Sequence, residues 1–253
     1  MIRLIRAEFG KLYSTKLWLW LLLGALGLTA LGVSLTIGLD GQQGNPNPPV
    51  ATAAGQKNMF SAAASAGIFG LILGIIGVTG EFRHQTVTPT FLATPHRGRV
   101  VIAKLIAYAL NGIAFGIATI ALAIAIALPW LSAKNIDISL GSNGIPGTLV
   151  GVAAGVAVYA LLGVGLGALL RNQIAAVVGA LVYLFVVEGL VGNLPGIRDY
   201  FKWFPGGANA ALTGNSQPNI SLLEPYQGGL LLVGYGLAFA ILGAWLAVRR
   251  DVT

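Results

Sequence analysis

Few residues of this 253-residue chain are of types that perform covalent or metal chemistry. The chain has no cysteine, which excludes disulfides, thiolate metal ligands and cysteine nucleophiles. Its histidines, His84 and His96, are separated by a spacing that matches no zinc motif, so we expect no metal site. No Gly-x-x-x-x-Gly-Lys-Ser/Thr pattern occurs, so the chain has no phosphate-binding loop of its own. We therefore expect no cofactor bound by this chain.

One carboxylate, Glu188, lies within an apolar run, and an ionised group at the centre of a bilayer costs about 3 kcal/mol. It lies close to the end of its run, about 6 Å from the predicted outer boundary, which lowers that cost. Two interpretations are open. The carboxylate could be a proton or cation site, or it could anchor the outer segment that follows.

Six apolar runs must position these residues, and each is long enough to cross a membrane. Hydrophobic residues make up 56% of the chain and charged residues 9%, whereas soluble domains carry about 25% charged residues. The runs lack the alternation of barrel strands, so the predicted fold class is all-α, with one transmembrane domain over residues 1–253. The predicted spans are Trp18 to Leu39, Phe60 to Val78, Ile106 to Leu128, Leu149 to Leu170, Ile174 to Gly192 and Gly229 to Val248.

Lysine and arginine fall mainly on one side of these spans. With a cytoplasmic N-terminus, eleven of the fifteen lie inside, so the positive-inside rule predicts both termini in the cytoplasm. We expect a multi-pass protein of the cell membrane. A basic inner face next to anionic lipid explains the net charge of +7, and we expect no nucleic-acid partner. Lys104, near the start of the third apolar run, can snorkel to the interface. The eleven are Arg3, Arg6, Lys11, Lys16, Arg83, Arg97, Arg99, Lys104, Arg171, Arg249 and Arg250.

The N-terminal segment, residues 1–16, predicts a short basic helix lying in the inner interface. Its apolar residues recur at helical spacing and its basic residues occupy the other positions. The helix either anchors the first span or offers a ledge to a cytoplasmic partner, and the sequence leaves both open. The residues assigned to this interfacial helix are Arg3, Arg6, Glu8, Phe9 and Lys11.

The segment 79–100, between the second and third spans, is the longest predicted cytoplasmic loop and carries a family resemblance. Its motifs follow in the order Gly80-Glu81, Arg83, Thr86-Val87, Phe91-Leu92-Ala93-Thr94-Pro95 and Arg97, and Ala103-Lys104 come just after the segment. Elsewhere in the chain are Leu4 to Leu12, Leu170-Arg171-Asn172 and the region from Val187-Glu188 to Leu194-Pro195. These ordered motifs resemble those of permease subunits of the ABC type-2 exporter family, over essentially the whole chain and on a matching six-span topology.

This resemblance implies that the chain is not an enzyme but a transport subunit that works with separate polypeptides. A second permease subunit, identical or homologous, would complete the transmembrane unit. Two cytoplasmic ATPase subunits would bind ATP and Mg and drive the permeases between inward-facing and outward-facing states. The missing phosphate-binding loop fits a permease whose motor is a separate chain.

The resemblance also implies that segment 79–100 enters a cleft of the ATPase as a coupling element. Charged side chains would make charge-assisted contacts there, and apolar ones would fill the cleft. The alternative is a solvated connector, which would have no use for Phe91 and Leu92. The predicted coupling residues are Glu81, Arg83, Thr86, Val87, Phe91, Leu92, Pro95 and Arg97.

The outer segment, residues 194–227, is too long for a hairpin and too polar to span. Its mixture of aromatic and charged residues suits the headgroup level of a membrane. The family resemblance implies a re-entrant helical pair that closes the outer exit; the alternative is an ordinary aromatic belt. The predicted gate residues are Glu188, Tyr200, Phe201, Trp203 and Phe204.

Small-x-x-x-small glycine pairs predict close helix packing, and the spans carry few polar side chains. We therefore expect an amphipathic, lipid-like or drug-like cargo. A self-contained secondary carrier is the alternative, supported only by Glu188. An intramembrane serine protease is disfavoured because both histidines lie in a predicted loop. The glycine pairs are Gly70/Gly74, Gly112/Gly116, Gly151/Gly155 and Gly163/Gly167.

Overall fold

The computed structural model describes residues 1–85, 97–215 and 220–249 of the chain. In these residues the structure is helical and contains no strand, which confirms the all-α prediction. Six helical segments of the described chain are long and apolar enough to cross a membrane, so the polytopic prediction is confirmed as well. The six spans are Leu17–Gly38, Ala53–Arg83, Gly98–Ala133, Ile145–Leu170, Gln173–Asn193 and Pro225–Gly243.

The helices follow one another with short connections. The second span consists of two helices joined by a 3₁₀ turn, and the fifth of two helices joined by a π-helical turn. In chain order the elements are α1 (Ile2–Tyr13), α2 (Leu17–Gly38), α3 (Ala53–Ser61), a 3₁₀ turn (Ala62–Ser65), α4 (Ala66–Arg83), α5 (Arg97–Ala133), α6 (Ile145–Leu170), α7 (Gln173–Val182), a π-helical turn (Tyr183–Val187), α8 (Glu188–Asn193), a second 3₁₀ turn (Arg198–Trp203), α9 (Pro205–Thr213) and α10 (Pro225–Arg249).

Two helices are longer at the predicted inner side than hydropathy indicates. α4 continues to Arg83, beyond the predicted end at Val78, and α5 begins already at Arg97. Both ends of the segment predicted as a loop, 79–100, are therefore helical. The apolar pattern stops where the hydrocarbon core stops, but the backbone hydrogen bonds of a helix continue beyond that boundary.

α4 and α6 form the centre of the bundle, and glycines bring their backbones into contact. A Cβ at Gly74 or Gly163 would collide with a backbone carbonyl oxygen of the facing helix. α5 crosses α6 in the same way, because a Cβ at Gly112 would lie 2.7 Å from the Cα of Ala157. The glycine pairs thus serve packing within the chain, where van der Waals contact rather than hydrophobic burial holds helices together.

The first, fifth and sixth spans surround this centre and expose most of their apolar side chains. Trp20, Ile174 and Leu230 are examples of large side chains that remain exposed along these helices. A water-soluble protein would not expose so much apolar surface, whereas hydrocarbon solvates it. The second and fourth spans, in contrast, are mostly buried.

The predicted inner and outer loops lie at opposite ends of the bundle. At one end α1 contacts the start of α5, next to the end of α4. At the other end the Lys134 ammonium donates to the Ile37 carbonyl at 2.7 Å, and the Gln56 amide donates to the Asp137 carbonyl at 3.2 Å. We call the first the N-terminal end and the second the opposite end.

The segment between the fifth and sixth spans folds back onto the bundle. It contains the second 3₁₀ turn and the nine-residue helix α9, which is too short to cross a bilayer. One face of α9 is buried against α6 and α10. A Cβ at Gly151 would lie 2.5 Å from the carbonyl oxygen of Leu212, so the close packing of α9 on α6 requires a glycine at this position.

Candidate functional site

Four charged side chains meet at the N-terminal end of the bundle, and we call Glu8, Lys11, Glu81 and Lys104 the ionic cluster. Lys104 Nζ lies 2.5 Å from Glu8 Oε2 and 3.0 Å from Glu81 Oε1. Lys11 Nζ lies 2.8 Å from Glu8 Oε1 and 2.8 Å from Glu81 Oε1. Each ammonium group therefore bridges the same two carboxylates.

Three helices bring the ionic cluster together. Glu8 and Lys11 are one turn apart on α1 and so share a face. Glu81 lies in the last turn of α4, and Lys104 lies two turns into α5. The extension of both helices beyond the apolar core is therefore what allows the two side chains to meet.

The ionic cluster is buried at its centre and open at one edge. The side chains of Glu8 and Lys104 are 4% and 8% exposed, whereas that of Lys11 is 44% exposed. Two positive and two negative charges balance, so no net charge is removed from water. Lys104 also donates to the Gly77 carbonyl at 3.3 Å and lies 5.7 Å from the centre of the Tyr108 ring.

The ionised state of the cluster follows from its geometry. Burial by itself would raise the pKa of Glu8, but the ammonium groups of Lys104 and Lys11 outweigh burial and hold this pKa below its ordinary value of 4.5. Burial would likewise lower the pKa of Lys11, but the carboxylates of Glu8 and Glu81 raise it above 10.5. Both groups are therefore charged throughout the neutral range.

The structure shows what Lys104 binds. Its ammonium group is buried between the carboxylates of Glu8, on the predicted interfacial helix, and Glu81. For Glu81 the predicted contact with an ATPase stays a prediction. The structure adds that this carboxylate already pairs with two lysines of its own chain.

Only part of the predicted coupling segment is described. Arg83 is exposed at the last residue of α4, and the backbone of Arg97 begins α5. The predicted coupling residues that lie outside the described part of the chain are Thr86, Val87, Phe91, Leu92 and Pro95. The described residues nevertheless define where this segment leaves α4 and where it enters α5.

α1 has the amphipathic character that the sequence predicts, and it ends at Tyr13. Arg3 and Arg6 are exposed, while Phe9 stacks on Tyr13 with ring centres 5.9 Å apart. Tyr13 in turn meets the edge of Trp18 on α2 at 5.0 Å. Aromatic contacts therefore connect the helix to the first span, in addition to the ionic cluster that connects it to α4 and α5.

A further basic residue at the N-terminal end is Arg171, in the turn between α6 and α7. Its guanidinium lies 5.0 Å from the centre of the Phe82 ring, at the end of α4. Arg171 adopts a left-handed conformation with a φ of +52°, which ends α6. This turn therefore lies on the same side as the predicted coupling segment.

At the opposite end, Glu188 contacts the segment that folds back. Its side chain is buried, and Oε2 accepts a hydrogen bond of 2.8 Å from the backbone N–H of Gly206. Gly206 is in the first turn of α9, where free N–H groups and the helix dipole favour an anion. A Cβ at Gly206 would collide with the carboxylate, so this contact requires glycine. The geometry matches the anchoring interpretation of Glu188.

The predicted gate aromatics occupy the second 3₁₀ turn and the start of α9. Tyr200 and Trp203 are exposed, whereas Phe204 stacks on Tyr183 with ring centres 6.4 Å apart. The Trp203 carbonyl accepts a hydrogen bond of 2.6 Å from the Tyr235 hydroxyl of α10. Phe201 is partly buried within the turn. The exposed pair suits a headgroup belt, while Phe204 holds α9 to the fifth span.

The sequence reasoning missed the pairing of Glu8 and Lys104. One signal was present: before the C-terminal tail, Glu8 and Glu81 are the acidic residues among many basic ones on the predicted inner side. Lys104, at the edge of an apolar run, needs an anion if it does not reach water. These facts together could have suggested the pairing.

The fold and the two ends of the bundle define a polytopic, all-α membrane protein. Among the described residues, no group of three or more His, Cys, Asp or Glu side chains could hold a metal ion. A scan against models of known protein families found no match to the chain, and a search of curated proteins found none either.

Proposed function

We propose that the chain is the transmembrane permease subunit of an ATP-driven exporter in the cell membrane. Two cytoplasmic ATPase subunits, which bind ATP and Mg, drive it, and a second permease subunit, identical or homologous, completes the pathway. It moves an amphipathic, lipid-like or drug-like cargo out of the cytoplasm. Both termini and the segment between α4 and α5 face the cytoplasm on this proposal, as the distribution of Lys and Arg favours.

The observation that carries the proposal is the position of the ionic cluster. Glu81 lies near the start of segment 79–100 and Lys104 lies just after its end, and Lys104 Nζ is 3.0 Å from Glu81 Oε1. Both also contact α1, Lys104 through Glu8 and Glu81 through Lys11. The two ends of the segment are thus joined to each other and to the interfacial helix, as a force-transmitting element requires.

A force applied to the segment would reach the centre of the bundle through α4. The backbones of α4 and α6 touch at Gly74 and Gly163, which leaves them no freedom to slide without separating. α5 contacts α6 at Gly112 in the same way. A movement of the segment would therefore displace α1, α4, α5 and α6 as a unit, which is the rigid-body response expected of alternating access.

The exposed charges at the N-terminal end suit a docking surface for an ATPase. Arg3, Arg6 and Arg83 are exposed, whereas the acidic residues of the ionic cluster are neutralised by its lysines. The surface presented to the cytoplasm is thus basic and would attract an acidic cleft or anionic lipid. Phe91 and Leu92 would supply the apolar part of the contact on this proposal.

Purification of the tagged chain from its native membrane tests the proposal. We expect an ATPase with a phosphate-binding loop to co-purify and its ATP hydrolysis to rise with cargo. Replacement of an aromatic anchor at an interface costs about 2 kcal/mol, so Phe91→Ala should lower the cargo-stimulated rate by about tenfold or more with the complex still assembled. Tyr226→Ala, an exposed aromatic residue at the start of α10, is the matched control and should leave the rate unchanged.

Two results would contradict these expectations. If the purified chain moves solute in liposomes without any partner or ATP, the proposed function is wrong. Full stimulation in Phe91→Ala would remove the coupling role of the segment, even with an ATPase bound.

One observation favours a second candidate function, a self-contained secondary carrier. Glu188 is a buried intramembrane carboxylate, and such groups often mark ion or proton pathways. An imposed pH gradient would then drive uptake by the chain alone, and Glu188→Gln would abolish it. ATP-dependent transport with an unchanged pH profile in Glu188→Gln would exclude the carrier.

A further inference from the structure

A polar cavity of about 480 Å³ lies beside Glu188, between the second span, the fifth span and α9. Its polar wall comes from the 3₁₀ turn of the second span, through Ser65, and from α9, through Asn209. Glu188 is 3% exposed and contributes the negative charge. Among the described residues that line the cavity, none is Lys or Arg, so none of them neutralises the carboxylate.

Three oxygen atoms at this cavity lack a hydrogen-bond partner among the described residues. They are Glu188 Oε1, Ser65 Oγ and Asn209 Oδ1; each atom is buried, and Asn209 Oδ1 also packs against Gly155 of α6. Buried polar groups are almost always hydrogen-bonded, and an unpaired carboxylate oxygen is especially costly. A carboxylate and an amide oxygen only accept hydrogen bonds, and a hydroxyl can accept as well. The complement of this set is a ligand with several N–H donors and a positive charge.

The local backbone presents one carboxylate oxygen to this cavity. Oε2 accepts a hydrogen bond from Gly206 N–H, which holds the side chain, and the Tyr183 hydroxyl also interacts with this carboxylate. Oε1 has no hydrogen-bond partner within 3.5 Å among the described residues. The π-helical turn Tyr183–Val187 immediately precedes Glu188 and offsets it from the register of α7. Single π-helical turns are rare and occur often at functional sites.

An apolar cavity of about 340 Å³ adjoins the polar one. It lies between the fourth, fifth and sixth spans and is lined by side chains such as Leu162, Leu166 and Phe239. Tyr159 and Leu184 line both cavities and form their common wall. A ligand that placed a polar group at Glu188 would therefore have a neighbouring apolar cavity for an apolar chain.

We propose that these two cavities form one binding site for an amphipath with a primary ammonium group. The ammonium donates its three hydrogens to Glu188 Oε1, Ser65 Oγ and Asn209 Oδ1, and the apolar chain occupies the cavity beyond Tyr159 and Leu184. Charge-assisted hydrogen bonds give the site its preference for the cation, and the apolar cavity gives affinity. As a statement about exported cargo, the inference rests on the proposed function; as a binding site, it rests on the cavities alone.

Binding to the purified chain in nanodiscs of phosphatidylglycerol tests the site directly. Octylammonium and octanol have the same apolar chain and differ in the charged head. We expect saturable binding of octylammonium, above that of empty nanodiscs, at least tenfold tighter than that of octanol. Equal affinities of the two probes would overturn the proposal without the need for any variant.

Glu188→Gln tests the carboxylate, because glutamine retains an oxygen to accept the Gly206 N–H but lacks the charge. We expect octylammonium affinity to fall at least tenfold and octanol binding to stay the same. Glu224→Gln, which removes an exposed carboxylate, is the control and should bind both probes normally. If Glu188→Gln does not fold, Ser65→Ala replaces it, with an expected loss of about threefold for octylammonium alone. Unchanged affinity in the folded variant would overturn the proposal.

The ammonium could belong to a lipid headgroup or to a free amphipathic amine, and lipid composition separates the two. If phosphatidylethanolamine occupies the site, adding it to the nanodisc should weaken octylammonium binding in wild type but not in Glu188→Gln. Undiminished binding identifies a free amine. The outcomes for the site and for the proposed function can be separated, because the binding assay contains no ATPase. If the chain binds octylammonium as expected but no ATPase co-purifies with it, the site is established and the proposed function is refuted. If an ATPase assembles with the chain but the site shows no preference for ammonium, the binding-site proposal is refuted and the proposed function is not.

Discussion

The two lysines of the ionic cluster provide an internal comparison that tests how the N-terminal end is held together. Lys104 and Lys11 bind the same carboxylates, Glu8 and Glu81, at similar distances. They differ in burial, because the side chain of Lys104 is 8% exposed and that of Lys11 is 44% exposed. Replacing each by methionine removes the charge and keeps most of the apolar stem. The comparison therefore isolates burial.

We expect a large difference in stability between the two variants. Removal of one partner from a buried ion pair costs about 3–5 kcal/mol, because the remaining charge stays buried without compensation. Exposed pairs are worth about 0.2–1 kcal/mol, because water screens them. Lys104→Met should therefore lower the free energy of unfolding by about 3 kcal/mol or more, and Lys11→Met by about 1 kcal/mol or less.

Reversible unfolding in mixed micelles measures both differences. The triple variant Glu8→Gln, Glu81→Gln, Lys104→Met removes the orphaned charges and should recover most of the loss, since replacing a whole buried ionic group is often nearly neutral. Equal losses for Lys104→Met and Lys11→Met would refute the reasoning. A triple variant that is less stable than Lys104→Met alone would refute it as well.

Two other measurements follow from the same structure. The pKa of Glu8 is lowered and that of Lys11 is raised, so their stabilising contribution is complete between about pH 5 and pH 10. The contribution of Glu8 is lost as pH falls through its folded pKa, which lies below 4.5. The contribution of Lys11 is lost as pH rises through its folded pKa, which lies above 10.5. The melting temperature of wild type should fall below pH 4.5, while Glu8→Gln, less stable at neutral pH, should approach wild type there; parallel pH curves would contradict this. A Cβ at Gly163 would collide with the backbone of α4, so Gly163→Ala should cost about 1–3 kcal/mol of unfolding free energy, whereas Gly179→Ala, with no atom near its Cβ, should change it by less than about 1 kcal/mol. Similar losses in the two glycine variants would show that α4 and α6 can separate at little cost.

The sequence predicted the six spans because apolar length is a local property. A run of about 20 apolar residues can satisfy its backbone in hydrocarbon only as a helix. The run from Leu149 to Leu170 therefore predicts the fourth span without any tertiary information, and the structure begins that span at Ile145. The ends of the helices are harder to predict from the sequence. Residues 79–83 continue α4 beyond the hydrocarbon core, where hydropathy no longer distinguishes a helix from a loop.

The ionic cluster could not be predicted from local patterns, because Glu8 and Lys104 are distant in sequence. The position of Lys104 next to an apolar run indicates only a side chain that can snorkel. Its partner Glu8 is brought to it by the packing of α1 against α5, which no local pattern reveals. The free oxygen of Glu188 depends in the same way on α9, which occupies the other oxygen through Gly206. Long-range packing therefore determines the chemistry at both ends of the bundle.

Site-specific crosslinking from the segment between α4 and α5 tests the central proposal most directly. The chain has no cysteine, so the thiol introduced by Phe91→Cys or, as a control, by Ser142→Cys at an exposed position is the only one present. In intact cells we expect the thiol of the Phe91→Cys variant to be protected from a membrane-impermeant maleimide and to crosslink to a co-purifying ATPase. The thiol of the Ser142→Cys variant should be labelled and should form no crosslink. Labelling of the Phe91→Cys variant from outside, or its failure to crosslink to an ATPase that does co-purify, would contradict the account.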